Sequence, residues 1–467
     1  MMRFAGSTLL AANLLLIGWA AAGANENGAP PPPVRIGTSE KICQLTGDID
    51  WETGQPTAAR TFSNFGLDAV DLGYPVEHGA KLILLFGDSW PPPHGGGLAG
   101  EIPPDDAVGV TTRREPPGND GKCLELQIYD KPSPPKTFAP ATIVSPIQIK
   151  QGFFNVPSGG VSADGRLFGF FWTDHCANPN PLGPSPDAPL ARPTASPKCP
   201  ESDDRNSVGR NVLARSDDDG RTFRNVVQMP IGFVYVTAVN SRQLPVDLPA
   251  DQRSGVFIFG VPRYRASVPY LAEAPIESLA DPASWRFFTG RADNEQPRWV
   301  SRAEWRQGAA PEMPPPLAWR PPGAAEIFVP ALEAGRCIGE FSVTWNSPLR
   351  MWLMLYNCPG GIMSRVAPAP WGPWSLPTVI LGPADRLGCR MLMVPEGCGQ
   401  RRDFWPTKHV SGKFVGGGTY GPYVLNRYTV AANNEGGGRS STIYWVVSTW
   451  NPYEVSVMRT TLHVGPR

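Results

Sequence analysis

Two aspartates, Asp71 and Asp88, stand at the same end of the two arms of one hairpin, Leu67 to Trp90, LDAVDLGYPVEHGAKLILLFGDSW. With the turn at His78-Gly79, residue 76 pairs with 81, 71 with 86 and 69 with 88. That register makes the two carboxylates diagonal neighbours on one face, with Cβ atoms roughly 7–8 Å apart. Carboxyls at that range can divide the labour of glycoside cleavage, one protonated and one charged. The spacing is nearer the inverting class, roughly 6.5–9.5 Å, than the retaining one near 5–5.5 Å, and a diagonal estimate leaves the stereochemistry open. Asp88 follows an apolar strand and precedes Trp90, so burial should raise its pKa and make it the acid. Asp71 is then the base or nucleophile. The alternative use of the pair is structural, each aspartate bonding amides at a strand end. A one-residue slip would also send the two to opposite faces. Between Val70 and Trp90 the one Lys or Arg is Lys81, near the far turn, so no cation is at hand to relieve the repulsion.

Other residues could complete such a site. Glu340, in Cys337-Ile-Gly-Glu-Phe-Ser-Val-Thr-Trp345, opens an apparent inner strand. Trp90, Trp172, Tyr420 and Tyr423 lie near junctions of strand and loop, where rings can stack on sugars or pack in a core. Asp68 is one strand step out of face with Asp71. His175, beside Cys176, could polarise a hydroxyl.

The elements that would hold these residues are strands. Leu82 to Phe86 is an unbroken apolar run, as in a strand buried on both faces. Similar short runs recur between Gly, Pro, Asn and Asp: Gly160 to Trp172, Phe233 to Val239, Gly255 to Gly260, Phe341 to Trp345, Met351 to Tyr356 and Ser441 to Thr449. One short stretch, Leu271 to Leu279, reads as helical. Strand, turn and hairpin repeat in five units, about 60–105, 108–175, 207–275, 283–375 and 378–462. Pro-rich inserts near 91–105, 177–206 and 308–325 should be surface loops. The fold class expected is all-β, a five-bladed β-propeller. It should form a single domain over residues 60–467, after a signal peptide (1–24) and a Pro-rich N-terminal segment (25–59). Arg3, the apolar run Leu9 to Ala22 and Ala22-Gly23-Ala24 carry the signal reading, which implies a secreted or periplasmic protein with no membrane anchor after cleavage.

Lys plus Arg equals Asp plus Glu, 42 each, so no net field recruits nucleic acid. Charged residues are 18%, against 15 Trp, 11 Tyr, 50 Gly and 54 Pro, a turn-rich and ring-rich β composition. Eight cysteines in an exported chain imply disulfides. The economical pairing joins Cys176 to Cys199, Cys337 to Cys358, Cys389 to Cys398 and Cys43 to Cys123. None has the close spacing of a zinc site, so no metal and no cofactor are expected, and the chain is expected to be a monomer.

Ser216-Asp-Asp-Asp-Gly-Arg-Thr-Phe223 follows the Asp-box pattern S-x-D-x-G-x-T-F, a hairpin turn of propeller blades. Asp218 should accept backbone amides there, Gly220 should be left-handed and Phe223 should tuck into the blade, a structural use and not a calcium site.

Taken together, Asp71-Leu-Gly73, Phe86-Gly-Asp-Ser-Trp90, Ala214 to Phe223, Trp371-Gly-Pro-Trp374, Tyr420-Gly-Pro-Tyr423 and the closing run Ser448 to Leu462 resemble a family of exported bacterial propeller proteins long catalogued as a domain of unknown function. Some of its members are endo-D-arabinanases that cleave mycobacterial arabinogalactan and lipoarabinomannan. The resemblance implies a five-bladed propeller, a glycoside hydrolase acting on a polysaccharide, and catalytic aspartates on the first blade at positions matching Asp71 and Asp88. The Pro-rich loops and extra cysteines depart from the family pattern. A competing class is a lectin-like propeller, which needs hydrogen bonds to a glycan but no acid and base in one cleft. A scaffold protein would need no deep pocket at all.

Overall fold

The structure, a computed structural model of the 467-residue chain, describes residues 31–90, 106–131, 142–144, 155–173, 210–228, 233–261, 265, 268–292, 296–301, 304, 337–382, 391–392, 418–433, 437–450 and 452–465. Within them lie five sheets of four or five strands, arranged as the five blades of a β-propeller. The innermost strands are Ala69–His78, Asn155–Ala163, Tyr235–Asn240, Phe341–Asn346 and Gly418–Val424. Each touches the next and the fifth touches the first, so they ring a central axis. All five run from the same mouth of that axis, which collects their N-terminal ends at one place.

The expected count of five units is met, but their bounds move. The first blade runs from Ala69 to Ile128 and the second from Thr142 to Gln228; the third ends at Ser301 and the fourth spans 341–381. The fifth is completed from the other end of the chain, where Arg35–Gln44 pairs with Val455–Val464 as its outermost strand. Ten residues of the segment expected to precede the propeller, 25–59, are therefore blade. Its mostly intermediate and exposed residues suit an edge strand. Leu271 to Leu279 is not helical: Tyr270–Ala274 is a fully buried strand, followed by one short 3-10 turn, Ile276–Ser278.

The second strand of each blade carries the core. Leu82 to Phe86 are each at most 1% exposed, and Met351 to Tyr356 are equally buried between blades. Between the third and fourth blades Phe257 and Phe259 meet Trp352, and Trp371 and Trp374 close the layer edge-on. Cys43–Cys123 ties the outermost strand of blade five to blade one, and Cys337–Cys358 ties the entry of the inner strand of blade four to its second strand. The other four cysteines and the signal reading lie outside the described residues.

The Asp-box is built as its pattern predicts. Asp218 Oδ1 accepts from the Thr222 amide (2.8 Å) and the Ser216 hydroxyl (2.7 Å), Gly220 has φ 91, and Phe223 is fully buried against Phe171. Its Asp219 pairs with Lys81 (2.6 Å) at the turn of the first hairpin, the end away from Asp71.

Candidate active site

The first hairpin turns at Gly79-Ala80, so His78 pairs with Lys81 and Val76 with Ile83, not with residue 81. Irregularities at Gly73 and Val70 then shift the ladder, so that Asp71 faces Gly87 and not Phe86. In a regular ladder that register would point Asp71 and Asp88 to opposite sides of the sheet. Left-handed backbone at Leu72 (φ 62), Gly73 (φ 78) and Asp88 (φ 33) breaks the alternation and turns both carboxyls into one cavity. Such conformations are costly for side chains other than glycine and persist when the surroundings impose them. Blade five does so here. Ser448 Oγ accepts from the Leu72 amide at 2.7 Å and donates to the Leu72 carbonyl at 3.3 Å, while the Val70 amide donates to the Tyr453 carbonyl at 3.0 Å. Gly73 is required, since a Cβ there would meet the Phe86 ring at 3.0 Å on a left-handed backbone.

Asp71 is 6% exposed, and its Oδ2 accepts from the Tyr420 hydroxyl at 2.7 Å and the Tyr453 hydroxyl at 2.5 Å. The same Tyr453 hydroxyl lies 3.1 Å from Asp88 Oδ2. The two Oδ2 atoms are therefore at most about 5.6 Å apart, the two contacts laid end to end. The pair is thus close enough for the retaining spacing near 5–5.5 Å.

Burial raises both carboxyls. Asp71, with the added repulsion of Asp88 and then Glu340, is pushed up to about 8, against the two tyrosine hydrogen bonds that lower it. Asp88, raised by burial and lowered by Tyr453, reaches about 6. Burial is the largest cause of both shifts, and Asp71 also feels the charges of Asp88 and Glu340. At neutral pH the pair holds one proton.

The cavity, of about 460 Å³, is lined from all five blades. Across it from the aspartates stands Glu340, 6% exposed, whose Oε1 accepts from Arg265 (2.7 Å) and from the Tyr235 hydroxyl (3.2 Å). Arg265 also lies over the Tyr420 ring, 5.3 Å from its centroid. Asp71 Oδ1 and Glu340 Oε2 are buried with no hydrogen-bond partner among the described residues, two acceptors facing a cavity.

Of the residues singled out in the sequence, Asp71, Asp88, Glu340, Trp172, Tyr420 and Tyr423 line this cavity. Tyr420 serves the Asp71 carboxylate with its hydroxyl, and Tyr423 packs edge-on against Tyr74. Trp90 corrects the expectation of a sugar-binding ring: it is 8% exposed, packs in the core and does not line the cavity. Asp68 is not on the cavity wall, and His175 lies outside the described residues. The sequence reading missed Tyr453, Arg265 and Tyr235. Tyr453 had a signal, since it sits in the closing run that carries the family resemblance.

The profile of a family described as "Domain of unknown function (DUF4185)" matches residues 210–459, more than half of the chain; the first blade with its two aspartates precedes the match. No curated protein matches the sequence. Among solved structures, a native arabinanase of Bacillus subtilis is 9% identical with a TM-score of 0.34, covering 83% of this chain and 94% of its own. A β-1,3-galactosidase of family GH43 is 8% identical with a TM-score of 0.34, covering 90% of this chain and 59% of its own. A Hadza microbial sialidase is 10% identical with a TM-score of 0.32, covering 86% and 66%.

Proposed function

The chain belongs to the family described as a domain of unknown function (DUF4185), and from that premise we propose that it is an exported glycoside hydrolase, secreted or periplasmic, that cleaves a polysaccharide with Asp71 and Asp88. One observation carries the reading: two carboxyls from one hairpin converge in a cavity on the propeller axis, within a few ångströms and with one proton between them at neutral pH. Two ionised carboxylates this close would repel, and a structural pair would be separated or given a cation.

The spacing supports double displacement with retention. Asp88, ionised at neutral pH, attacks the anomeric carbon as Asp71 gives its proton to the departing glycosidic oxygen. The bond from sugar to leaving group breaks and an ester to Asp88 forms. Asp88 is then neutral, its charge no longer holds the Asp71 pKa up, and Asp71 becomes a base. Water gives its proton to Asp71 and attacks the same carbon, the ester breaks, and the starting protonation returns. Glu340, with its open Oε2 over the cavity, takes a sugar hydroxyl, and Trp172 lines the wall beside it. The resemblance in the closing run and the first hairpin favours D-arabinan, cut internally, as the substrate, and a monomer that needs no metal or cofactor.

Incubation with arabinogalactan and D-arabinan oligosaccharides, read as new reducing ends, tests this. Wild type should release arabino-oligosaccharides, and Asp71→Asn and Asp88→Asn should each lose at least about 10²-fold with folding intact. Activity surviving both substitutions would move the chemistry elsewhere. A polymer retained on immobilised protein but never cut would make the cavity a binding site.

A further inference from the structure

We propose that Tyr453 is the positioning residue of the acid and base pair: its one hydroxyl proton is donated to whichever aspartate is ionised while its oxygen accepts from the one that is protonated. The proposal's kinetic consequences rest on the hydrolase reading above; its titration consequences do not.

The geometry is specific. Tyr453 is 2% exposed, and its hydroxyl lies 2.5 Å from Asp71 Oδ2 and 3.1 Å from Asp88 Oδ2. A phenol has one proton and can accept as well as donate. Between two ionised carboxylates it would satisfy one and face the other with a lone pair, and between two protonated ones it would lack an anion to serve. With one proton on the pair, both contacts are hydrogen bonds, in either direction. Proton transfer from one aspartate to the other then needs only a reversal of the hydroxyl, with no movement of carbon atoms.

The ring is held for this. Its carbonyl accepts from Val70 on the strand carrying Asp71, and Thr449 anchors the same turn, its hydroxyl donating to the Pro452 carbonyl and its amide to the Glu454 carbonyl at 2.9 Å. The groups facing the Tyr453 hydroxyl are Asp71 and Asp88 from blade one and the Tyr420 hydroxyl from blade five. Glu340 and Arg265 pair with each other across the cavity, and Glu454, next in the chain, is engaged by Thr46 at 2.5 Å. Tyr420 differs in one decisive respect: its hydroxyl donates to Asp71, at 2.7 Å, and does not bridge to Asp88.

That difference gives the test. Tyr453 bonds to both carboxyls only while the pair holds one proton, so Tyr453→Phe should move the acid limb of the bell-shaped kcat/KM profile to higher pH and the alkaline limb to lower pH, each by about one unit. Tyr420→Phe should move only the limb that belongs to Asp71, the alkaline one. A tyrosine that merely packs would lower the rate at every pH and leave both limbs in place, which would overturn the proposal. The same titrations are read without substrate from carbon-13 carboxyl resonances of labelled aspartate, assigned with Asp71→Asn and Asp88→Asn. In Tyr453→Phe the first carboxyl titration should rise and the second should fall, and unmoved resonances would refute the bridge. If the wild type cuts no polysaccharide, the hydrolase reading fails alone and the carboxyl titrations still decide on Tyr453. Should Tyr453→Phe not fold, 3-fluorotyrosine at position 453, a more acidic donor of nearly the same shape, should move the first carboxyl titration to lower pH; no movement would refute the bridge equally.

Discussion

Replacing Asp71 by asparagine should make the protein more stable at neutral pH, and increasingly so as the pH rises. The Asp71 carboxyl is 6% exposed and raised from 3.8 to about 8, first by burial and then by Asp88. In the unfolded chain it ionises as the pH passes 3.8, whereas the folded protein keeps the proton to about 8. The stability that protonated Asp71 contributes is complete below 3.8, is lost progressively above it, and is gone above about 8. Each pH unit in that window costs about 1.4 kcal/mol, so by pH 7 the penalty is on the order of 4 kcal/mol, a large share of a typical folding free energy of about 5–15 kcal/mol. Asparagine keeps the shape without the charge. It offers the two tyrosine hydroxyls a poorer acceptor, a loss of about 1–2 kcal/mol that does not depend on pH. Asp71→Asn should therefore be no more stable than wild type near pH 4 and more stable by about 2–3 kcal/mol near pH 7. Urea unfolding followed by tryptophan fluorescence, with disulfides intact and at unit steps from pH 4 to 8, measures the difference. A difference that stays constant over that range, or a wild type that gains on the variant as the pH rises, would refute the reasoning.

Three further outcomes follow from the same structure. Glu454 is fully buried, raised well above 4.5 by that burial and engaged by the Thr46 hydroxyl, so Glu454→Gln should flatten the decline of stability as the pH rises above about 4.5, in the same unfolding series. Asp218→Ala removes the acceptor that closes the Asp-box turn; it should cost about 1–2 kcal/mol by denaturation while activity per folded molecule stays at the wild-type level, because that turn lies away from the cavity. Cys337→Ser with Cys358→Ser opens a loop of sequence separation 21 whose first strand begins beside Glu340; it should cost about 3 kcal/mol and raise KM more than it lowers kcat in steady-state assays.

Much of this was legible in the chain. The apolar run ending in Gly87-Asp88 and the short strands between turn residues carried the fold class, the hairpin and both aspartates, because strand burial leaves a local pattern. The register was not legible. It depends on left-handed backbone at Leu72 and Asp88, which the local sequence does not demand; at the first strand Ser448 and Tyr453, far along the chain, hold Leu72 and Val70 in place. The field at Asp71 was not legible either, since it comes from Asp88 and from Glu340 on another blade. Whether the Trp90 ring stacks on sugar or packs in the core was not legible, because a position beside a loop says nothing of which way the ring turns. The blade bounds shifted because the propeller closes with a strand from the start of the chain, a pairing that no local repeat records.

Trapping of the glycosyl-enzyme tests the central claim most directly. Asp71→Ala removes the acid and base, and an aryl arabino-oligosaccharide with a good leaving group needs no acid to depart, so the ester should form faster than water can break it. Peptide mapping by mass spectrometry should then place one glycosyl chain on Asp88. A glycosyl chain on another residue, or a product of inverted configuration released with no adduct, would contradict the account.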